Sequence, residues 1–282
     1  GHERAREINR ALARIAEERG YGFGLGSQRA MHRDGAVAST YEVRDVAPTL
    51  LLLGNIGVVQ AASMSTDEVE SLVAKVGADG LCLHMSPAME LVQPGGDRDF
   101  RGGLDTFARL VGELSVPIVA KETGSGISSE TAARLASVGV THVDVSAAGG
   151  TSWVGVETMR AEGTAKTIGE DLWDWGIPTA ASVAYCASQG LVTIATGGIR
   201  SGLDVARAIA LGASAAGIAR TVYQAWVSDG ERGVINYLDA VERELAAVML
   251  LTGSGTLRDL KSAPRVITGE LKDWLAASRK AV

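Results

Sequence analysis

Glycine-rich turns in residues 195–220, ATGGIRSGLDVARAIALGASAAGIAR, carry the clearest chemical signal in the sequence. Each turn follows a strand-like run and precedes a helix-like run. Glycine lets main-chain N–H groups approach a ligand closely, and a helix N-terminus favours negative charge. The pattern predicts a site for a cofactor phosphate; the alternative is that these glycines serve only tight turns. The candidate phosphate-binding residues are Gly197, Gly198, Arg200, Gly217, Ile218 and Ala219.

A second group of reactive side chains lies in residues 81–100, LCLHMSPAMELVQPGGDRDF. An apolar run of strand type ends at His84, and the carboxylate of Glu90 follows six residues later in a polar loop. Histidine and carboxylate groups serve proton transfer, and carboxylates also bind hard cations. The spacing alone leaves open what these two side chains bind.

The elements that must position these residues alternate between strand-like runs and amphipathic helical stretches. Strands that are apolar throughout favour parallel pairing with helices on the outside. An open sheet gathers its ligand residues at one switch point, whereas here polar residues or glycines follow nearly every strand. The sequence therefore predicts an α/β fold, a (β/α)8 TIM barrel, with these residues at one mouth. They are Ser27, Gln28, Asn55, His84, Lys121, Ser146 and the Gly197–Gly198 pair.

The number of strands raises a question about the start of the barrel. The sequence predicts seven strands, whereas a closed barrel of this type needs eight. The chain opens with a predicted helix over about residues 3–19, so we expect the first strand to lie outside this sequence. The alternative is an unrecognised strand within residues 31–48. We predict one N-terminally incomplete domain over residues 1–282, with a looser segment at 151–175 and a mainly helical region from about 220.

Composition limits the classes of function. A chain of 282 residues, 46% of them hydrophobic, can bury a large core. The formal net charge of −6 without a block of Lys or Arg argues against nucleic-acid binding. No targeting segment or membrane-spanning run is evident. Cys82 and Cys186 lack metal spacing and suit a reducing cytoplasm.

Several motifs, taken in order, resemble one known family. They are GFGLGSQRA, LLLGNIG, VPIVAKETGSGIS, VDVSAAGGTSWVGVE, IPTA and TGGIRSGLDVARAIALGA. Together they resemble the type 2 isopentenyl diphosphate isomerases, FMN-dependent (β/α)8 barrels related to the flavoenzymes that oxidise α-hydroxy acids. The resemblance runs from about residue 2 to 260 without large gaps. In that family, a strand and a basic substrate-binding segment precede the point where this chain begins.

The resemblance implies the ligands of the protein. They are FMN, Mg²⁺, NADPH to reduce the flavin, and a substrate like a prenyl diphosphate. It also implies a homo-oligomer, a tetramer or a larger assembly.

The resemblance further implies roles around the flavin. Asn55 would hydrogen-bond the ring, and Lys121 would lie near its N1 and O2 edge, where a cation stabilises negative charge. Ser146 and Thr151 would contact the ring or the phosphate side chain. The alternative for Lys121 is an ion pair with Glu122 or Asp144.

At the substrate, the resemblance implies that Ser27 and Arg29 meet the diphosphate, and Gln28 belongs to the same binding segment. Glu90 would hold Mg²⁺, a hard cation that takes few carboxylates and otherwise binds substrate phosphate. His84 would contact the substrate phosphate.

The sequence departs from the family in the motif that lies beside the reacting carbons of the substrate. The family strand ends as His-x-Asn-x-x-Gln-Glu, where the Gln lies by the reacting carbons. Here Ser86 and Met89 replace the Asn and the Gln. A thioether cannot donate a proton, and general acid–base assistance is worth roughly 10² to 10⁴ in rate. We take His84, Met89 and Lys121 as the candidate catalytic residues, with Ser86 in the substrate-binding set.

Two alternatives remain beside an isomerase. One is a diverged FMN-dependent oxidoreductase of the same barrel family; the other is a flavin-binding or scaffolding protein without catalysis. The hydroxy-acid oxidases need a late histidine base, and none of the four histidines suits that role. They are His2, His32, His84 and His142. Trp153 and Glu157 are left outside the predicted site as packing or capping residues.

Overall fold

The computed structural model of the protein describes residues 3–278. Seven strands are present in this part of the chain, which confirms the predicted number. They are Gly22–Gly24 (β1), Leu51–Gly57 (β2), Gly80–His84 (β3), Ile118–Lys121 (β4), His142–Asp144 (β5), Val192–Ala195 (β6) and Ala215–Ala216 (β7).

Helices separate nearly all successive strands, as expected for parallel pairing. From residue 220 to residue 278 the chain is mainly helical, as predicted. The helices are Glu3–Glu18 (α1), Arg29–Arg33 (α2), Val58–Ala62 (α3), Thr66–Val76 (α4), Pro87–Val92 (α5), Gly103–Glu113 (α6), Ser129–Ser137 (α7), Trp153–Thr158 (α8), Gly163–Asp171 (α9), Thr179–Ser188 (α10), Gly202–Ala210 (α11), Arg220–Leu251 (α12), Leu257–Ser262 (α13) and Gly269–Ser278 (α14).

Two segments differ from simple expectations. Residues 31–48, all of them described, contain the end of α2 and a 3-10 helix over Gly35–Thr40, so the alternative of an eighth strand there is wrong. Residues 151–175, predicted as looser, contain α8 and α9. Ser152 starts α8 by accepting a hydrogen bond from the Gly155 N–H, a local capping signal that the aromatic composition obscured.

Contacts within the chain divide it into two compact units. The first contains the chain up to Met85 with Asp99–Ala120 and Val138–Val140. The second contains Ser86–Arg98, Lys121–Ser137 and the chain from Thr141 onward. A single domain over residues 1–282 stays a prediction.

The first unit is built on β1, β2 and β3, which pair in parallel and in chain order. Leu52, Ile56 and Leu81 are fully buried on one face of these strands. Because successive strand residues point to opposite faces, Asn55 and His84 lie on the other face. Apolar burial on one face thus fixes the direction of two predicted site residues on the other.

The second unit contains β5, β6 and β7, again parallel and in chain order. Its core includes Val143 on β5 and Ala195 on β6, with Val183 and Cys186 of α10 and Ile209 of α11. These residues are less than 3% exposed. The strands of this unit are short, so the residues that follow them lie immediately beyond a tightly packed core.

Phe107 of α6 offers a test of the first unit's core. Its side chain is 2% exposed, so Phe107→Ala should lower the free energy of unfolding by about 3–5 kcal/mol through lost burial and a residual cavity. Leu104→Ala is the matched control, because Leu104 lies on the same helix at 38% exposure. Urea denaturation measures both; equal losses would contradict this assignment of the core.

Candidate active site

The turn after β6 can be built only from glycine. Gly197 and Gly198 have φ angles of 101° and 86°, a region that side chains disfavour. A Cβ on Gly197 would lie 2.2 Å from the carbonyl oxygen of Ala147, and one on Gly198 would lie 2.3 Å from that of Gly149. The main chain of this turn therefore packs directly on the main chain of the loop after β5.

Arg200 holds the same turn from its other end. Its Nη2 donates to the carbonyl oxygen of Gly149 at 3.0 Å, and its main-chain N–H donates to Asp204 Oδ2 at 3.1 Å. The guanidinium is therefore placed beside the glycine turn by the protein itself. A cation in this position would favour a bound phosphate.

The turn after β7 lies against the residue before the glycine pair. Gly217 N–H donates to the Ala195 carbonyl at 2.9 Å, and a Cβ on Gly217 would lie 2.6 Å from Cγ2 of Thr196. Ile218 and Ala219 follow and lead into α12, whose first N–H groups have no acceptor within their own helix. The structure thus brings the predicted phosphate-binding residues to the ends of two neighbouring strands, and their role stays a prediction.

Lys121 at the end of β4 is engaged in an ion pair. Its Nζ lies 2.8 Å from Asp144 Oδ2 and donates to the Glu122 carbonyl at 3.0 Å. Asp144 Oδ1 in turn accepts hydrogen bonds from the Ser146 N–H, at 3.2 Å, and from the Thr196 hydroxyl. The ion pair considered as an alternative for Lys121 is present, and it holds the ammonium in a fixed position. Asp144 was not in the predicted site.

Ser146 has a strained main chain. Its φ of 33° is the one positive value at a non-glycine position in the described chain. Its N–H also donates to Thr196 Oγ1 at 2.9 Å, and its carbonyl accepts from the Gly124 N–H at 2.6 Å. Strain of this kind persists where surrounding bonds over-determine it and is frequent at functional sites. The geometry supports the prediction that Ser146 belongs to a binding site.

Glu122 is a buried carboxyl that the sequence reading did not assign to the site. Its Oε2 accepts hydrogen bonds from the N–H groups of Thr123, Ser125 and Gly126. Burial nevertheless raises the pKa of Glu122 to about 7, against the opposing effect of those bonds and of Lys121. The sequence shows only that Glu122 follows Lys121 at the end of a strand, and this position does not indicate that the Glu122 side chain is buried.

The raised pKa of Glu122 predicts a pH dependence of stability. The native carboxyl binds its proton more tightly than the unfolded one, so the free energy of unfolding should fall as pH rises from about 4.5 to about 7. One such proton contributes at most about 1.4 kcal/mol per pH unit. Glu122→Gln should flatten the curve in chemical denaturation, with Glu130→Gln on the exposed face of α7 as control. An unchanged slope in Glu122→Gln would contradict this.

A cavity of about 220 Å³ lies in the second unit. Three tryptophans and Met89 give it apolar walls, while Glu122 and Asp174 add carboxyl groups. Ser86, 3% exposed, and Thr151 also line it. The lining residues are Ser86, Met89, Glu122, Thr123, Gly124, Ser125, Ala148, Gly149, Gly150, Thr151, Ser152, Trp153, Val154, Trp173, Asp174 and Trp175.

Two contacts fix the tryptophan wall of this cavity. Ser152 Oγ donates to the Trp173 carbonyl at 2.7 Å. The Trp173 ring lies against Gly155, where an added Cβ would approach within 2.7 Å of the ring. Trp153, left outside the predicted site, therefore lines the same cavity as Met89, and its 43% exposure makes it accessible.

In the first unit, Asn55 and His84 share one face of β2 and β3, with Gly57 directly opposite His84. Asn55 Nδ2 donates to the Leu25 carbonyl at 3.2 Å. Its Oδ1 is buried and has no hydrogen-bond partner in the described chain. A buried acceptor of this kind costs free energy unless a ligand or water satisfies it, so Asn55 is suited to accept a bond from a ligand N–H.

The predicted substrate-binding segment divides into residues of different character. Gln28 is 0% exposed; its Nε2 donates to the Leu72 carbonyl, and its Oε1 accepts from the Asn55 N–H, both at 2.9 Å. Ser27 is exposed, and Arg29 is partly buried at the start of α2. Gln28 therefore holds β2 in place, and the geometry does not favour its predicted contact with substrate.

Replacing Gln28 tests that distinction. Gln28→Leu keeps the volume but leaves the buried N–H of Asn55 without its acceptor and removes one hydrogen bond from the Leu72 carbonyl, so the free energy of unfolding should fall by about 1–3 kcal/mol. Thermal or urea unfolding measures the loss, with Ser27→Ala at the exposed neighbour as control. Full stability combined with weaker substrate binding would instead support the original prediction.

Glu90 completes the predicted set, and the other histidines were predicted to lie outside it. Glu90 is 4% exposed on α5, and its Oε2 accepts from the Asp97 N–H at 2.8 Å. In residues 3–278 no three His, Cys, Asp or Glu side chains cluster as a metal site, so a cation at Glu90 would need other ligands. His32 is exposed and His142 contacts Thr141, while His2 lies outside the described residues.

Comparisons with known proteins assign the fold and the class. The sequence model of the FMN-dependent dehydrogenase family matches residues 96–267. A mandelate oxidase mutant with a monooxide FMN adduct has a TM-score of 0.64 and 17% identity, over 92% of this chain and 74% of that one. Another mandelate oxidase mutant, with (S)-mandelic acid, has a TM-score of 0.63 and 18% identity, over 93% and 74%. The predicted TIM-barrel fold is confirmed, and the class is that of FMN-dependent barrel enzymes.

Relatives with higher identity define the family. An isopentenyl-diphosphate delta-isomerase of Methanothermobacter thermautotrophicus is 46% identical over 277 residues, 98% of this chain and 77% of the relative. Those of Thermococcus onnurineus and Halobacterium salinarum are 43% and 42% identical, over 98% of this chain and 75% and 78% of theirs. The chain belongs to the isopentenyl-diphosphate delta-isomerase family, and it is a flavin-dependent isomerase of type 2 character.

Proposed function

We propose that the protein converts isopentenyl diphosphate, or a closely related prenyl substrate, to its allylic isomer with reduced FMN and Mg²⁺. NADPH supplies the electrons that reduce the flavin. The observation that carries the proposal is the pair of glycine turns after β6 and β7, with Arg200 beside the first. These turns offer main-chain N–H groups and a cation to a phosphate, which is what FMN presents.

The residues present fit a flavin in two independent ways. At the glycine turn after β6 in the second unit, an added Cβ would meet main-chain atoms of the loop after β5 at 2.2–2.3 Å, so this turn carries no side chains that would cover its main chain, and Arg200 lies beside it. In the first unit, the orphaned Oδ1 of Asn55 is an acceptor for a ring N–H. A bound reduced flavin would supply part of the proton transfer that moves the double bond.

The protein's own groups have distinct tasks in this proposal. Lys121, fixed at 2.8 Å from Asp144, stabilises negative charge at the flavin's N1 and O2 edge. Ser27, Arg29 and His84 bind the substrate diphosphate, and Glu90 provides one oxygen ligand for Mg²⁺.

Met89 makes the wall of the cavity more apolar. It takes the place of a polar side chain expected beside the reacting carbons, and it lines the cavity with Trp153, Trp173 and Trp175. Such walls accept an apolar carbon skeleton, while the thioether cannot hold or relay a proton. We expect slow isomerisation, because one acid–base group is missing. The diverged oxidoreductase is the second candidate; it rests on this same replacement, and the isomerase relatives do not favour it.

Restoring the polar side chain tests the two candidates. Met89→Gln should raise kcat for isopentenyl diphosphate by about 10² or more in the presence of FMN, NADPH and Mg²⁺. Met159→Gln is the matched control, since Met159 is 77% exposed on the same unit. Product is measured by conversion to dimethylallyl diphosphate.

The outcomes separate the candidates. Measurable turnover in the unmodified protein supports the isomerase, and omission of Mg²⁺ or NADPH then tests each requirement. Activity that arises only with Met89→Gln supports diverged chemistry. A protein that cannot be reconstituted with FMN would contradict both.

Three further expectations accompany the proposal. We expect a homo-oligomer, a tetramer or larger, which light scattering would measure. Cys82 and Cys186 are both buried, and a reducing cytoplasm is the compartment that we expect for this protein. No helix within residues 3–278 is long and apolar enough to cross a membrane.

A further inference from the structure

One side chain outside the predicted site links the two glycine turns. The hydroxyl of Tyr237 lies 2.7 Å from the carbonyl oxygen of Arg200, in the turn after β6. It also lies 2.9 Å from Oγ1 of Thr221, in the first turn of α12 after β7. A single phenol therefore contacts both segments that the proposed phosphate site requires.

The direction of these hydrogen bonds follows from the groups involved. A carbonyl only accepts, so Tyr237 must donate its one proton to Arg200. Thr221 must then donate its own proton to the Tyr237 oxygen. The result is a directed chain from Thr221 through Tyr237 to Arg200. Burial raises the pKa of Tyr237 above its ordinary value, so the phenol keeps its proton at neutral pH.

A sharp bend in α12 makes this contact possible. Thr221 and Tyr237 are 16 residues apart on α12. In an uninterrupted helix this separation would span about 24 Å. The main chain is non-helical at Asp229, with φ −150° and ψ 30°, and at Gly230, with φ 56° and ψ −144°. The second combination is essentially restricted to glycine.

The two halves of α12 pack closely after this bend. A Cβ on Gly233 would lie 2.3 Å from the Ala225 carbonyl oxygen, so the returning half approaches the first half at main-chain distance. Asp229 and Arg232 pair at the bend through two hydrogen bonds of 2.7 and 2.9 Å. The bend therefore returns Tyr237 to the start of its own helix.

We infer that Tyr237 is a positioning residue for the flavin phosphate. By tying the Arg200 carbonyl to Thr221, it holds the glycine turn after β6 and the N-terminus of α12 at the spacing that one phosphate group needs. The same bond keeps the Arg200 main chain in place while its guanidinium bonds to Gly149. The inference rests on the proposed FMN site and adds a residue to it.

Flavin binding tests the inference with a readout other than activity. Tyr237→Phe removes only the hydroxyl, and it should weaken FMN binding to the apo-protein about three- to tenfold, measured by quenching of flavin fluorescence. Riboflavin has the same ring without the phosphate, so its affinity should stay within about twofold of the unmodified protein by the same measure. Tyr223→Phe is the matched control, because Tyr223 is 49% exposed on the same helix.

A second substitution keeps the test falsifiable. Thr221→Val removes the other donor of the chain, so it should weaken FMN binding similarly. The double variant should bind FMN with an affinity within about twofold of that of each single variant, because all three variants disrupt the same hydrogen-bond chain. Urea unfolding of each apo-protein shows whether a variant has lost its fold.

The outcomes are distinguishable from those of the proposed function. If the unmodified protein does not bind FMN, the proposed function fails. If it binds FMN and Tyr237→Phe binds equally well, only the role of Tyr237 is overturned. An equal loss of FMN and riboflavin affinity would also overturn it, because that result would mean a general structural effect.

Discussion

The close approach of main chain to main chain at the glycine turn after β6 is the constraint on which the candidate site depends. Gly197 and Gly198 leave no room for side chains because the loop after β5 occupies that space. This contact fixes one wall of the proposed phosphate site and places Arg200 beside it. Core packing beneath β5 and β6 supplies the rigid base, since short strands with buried side chains cannot shift without opening cavities. The turn owes its shape to backbone geometry and the core, whatever ligand it holds.

In the second unit, the carboxylate of Asp144 organises several charged and polar groups. Asp144 offsets the charge of Lys121 and at the same time receives bonds from Thr196 and from the strained main chain at Ser146. Residues at the ends of three different strands are therefore held together by one carboxylate. Glu122, by contrast, has main-chain donors but little solvent, and burial raises its pKa to about 7.

Sequence reasoning reached the fold and the glycine turns because both depend on local patterns. Apolar strand runs and glycine before a helix are visible without knowledge of tertiary contacts. It did not distinguish Gln28, whose amide was expected at the substrate and is instead buried between Leu72 and Asn55. It also omitted Asp144 from the site and did not anticipate α8 and α9. For Gln28 and Asp144 the deciding contact joins residues far apart in the chain, and no spacing rule encodes such a contact; the cap at Ser152 that starts α8 is local and could have been recognised.

The bend in α12 has a consequence for how this chain can vary. Adding or removing one residue within a helix rotates everything beyond it by about 100°. Between Thr221 and Tyr237, such a change would turn the phenol away from the Arg200 carbonyl. Insertions and deletions should therefore be rare between these positions, although much of the segment is exposed. Beyond residue 251, where α13 and α14 are separate short helices, changes of length should be tolerated far more readily.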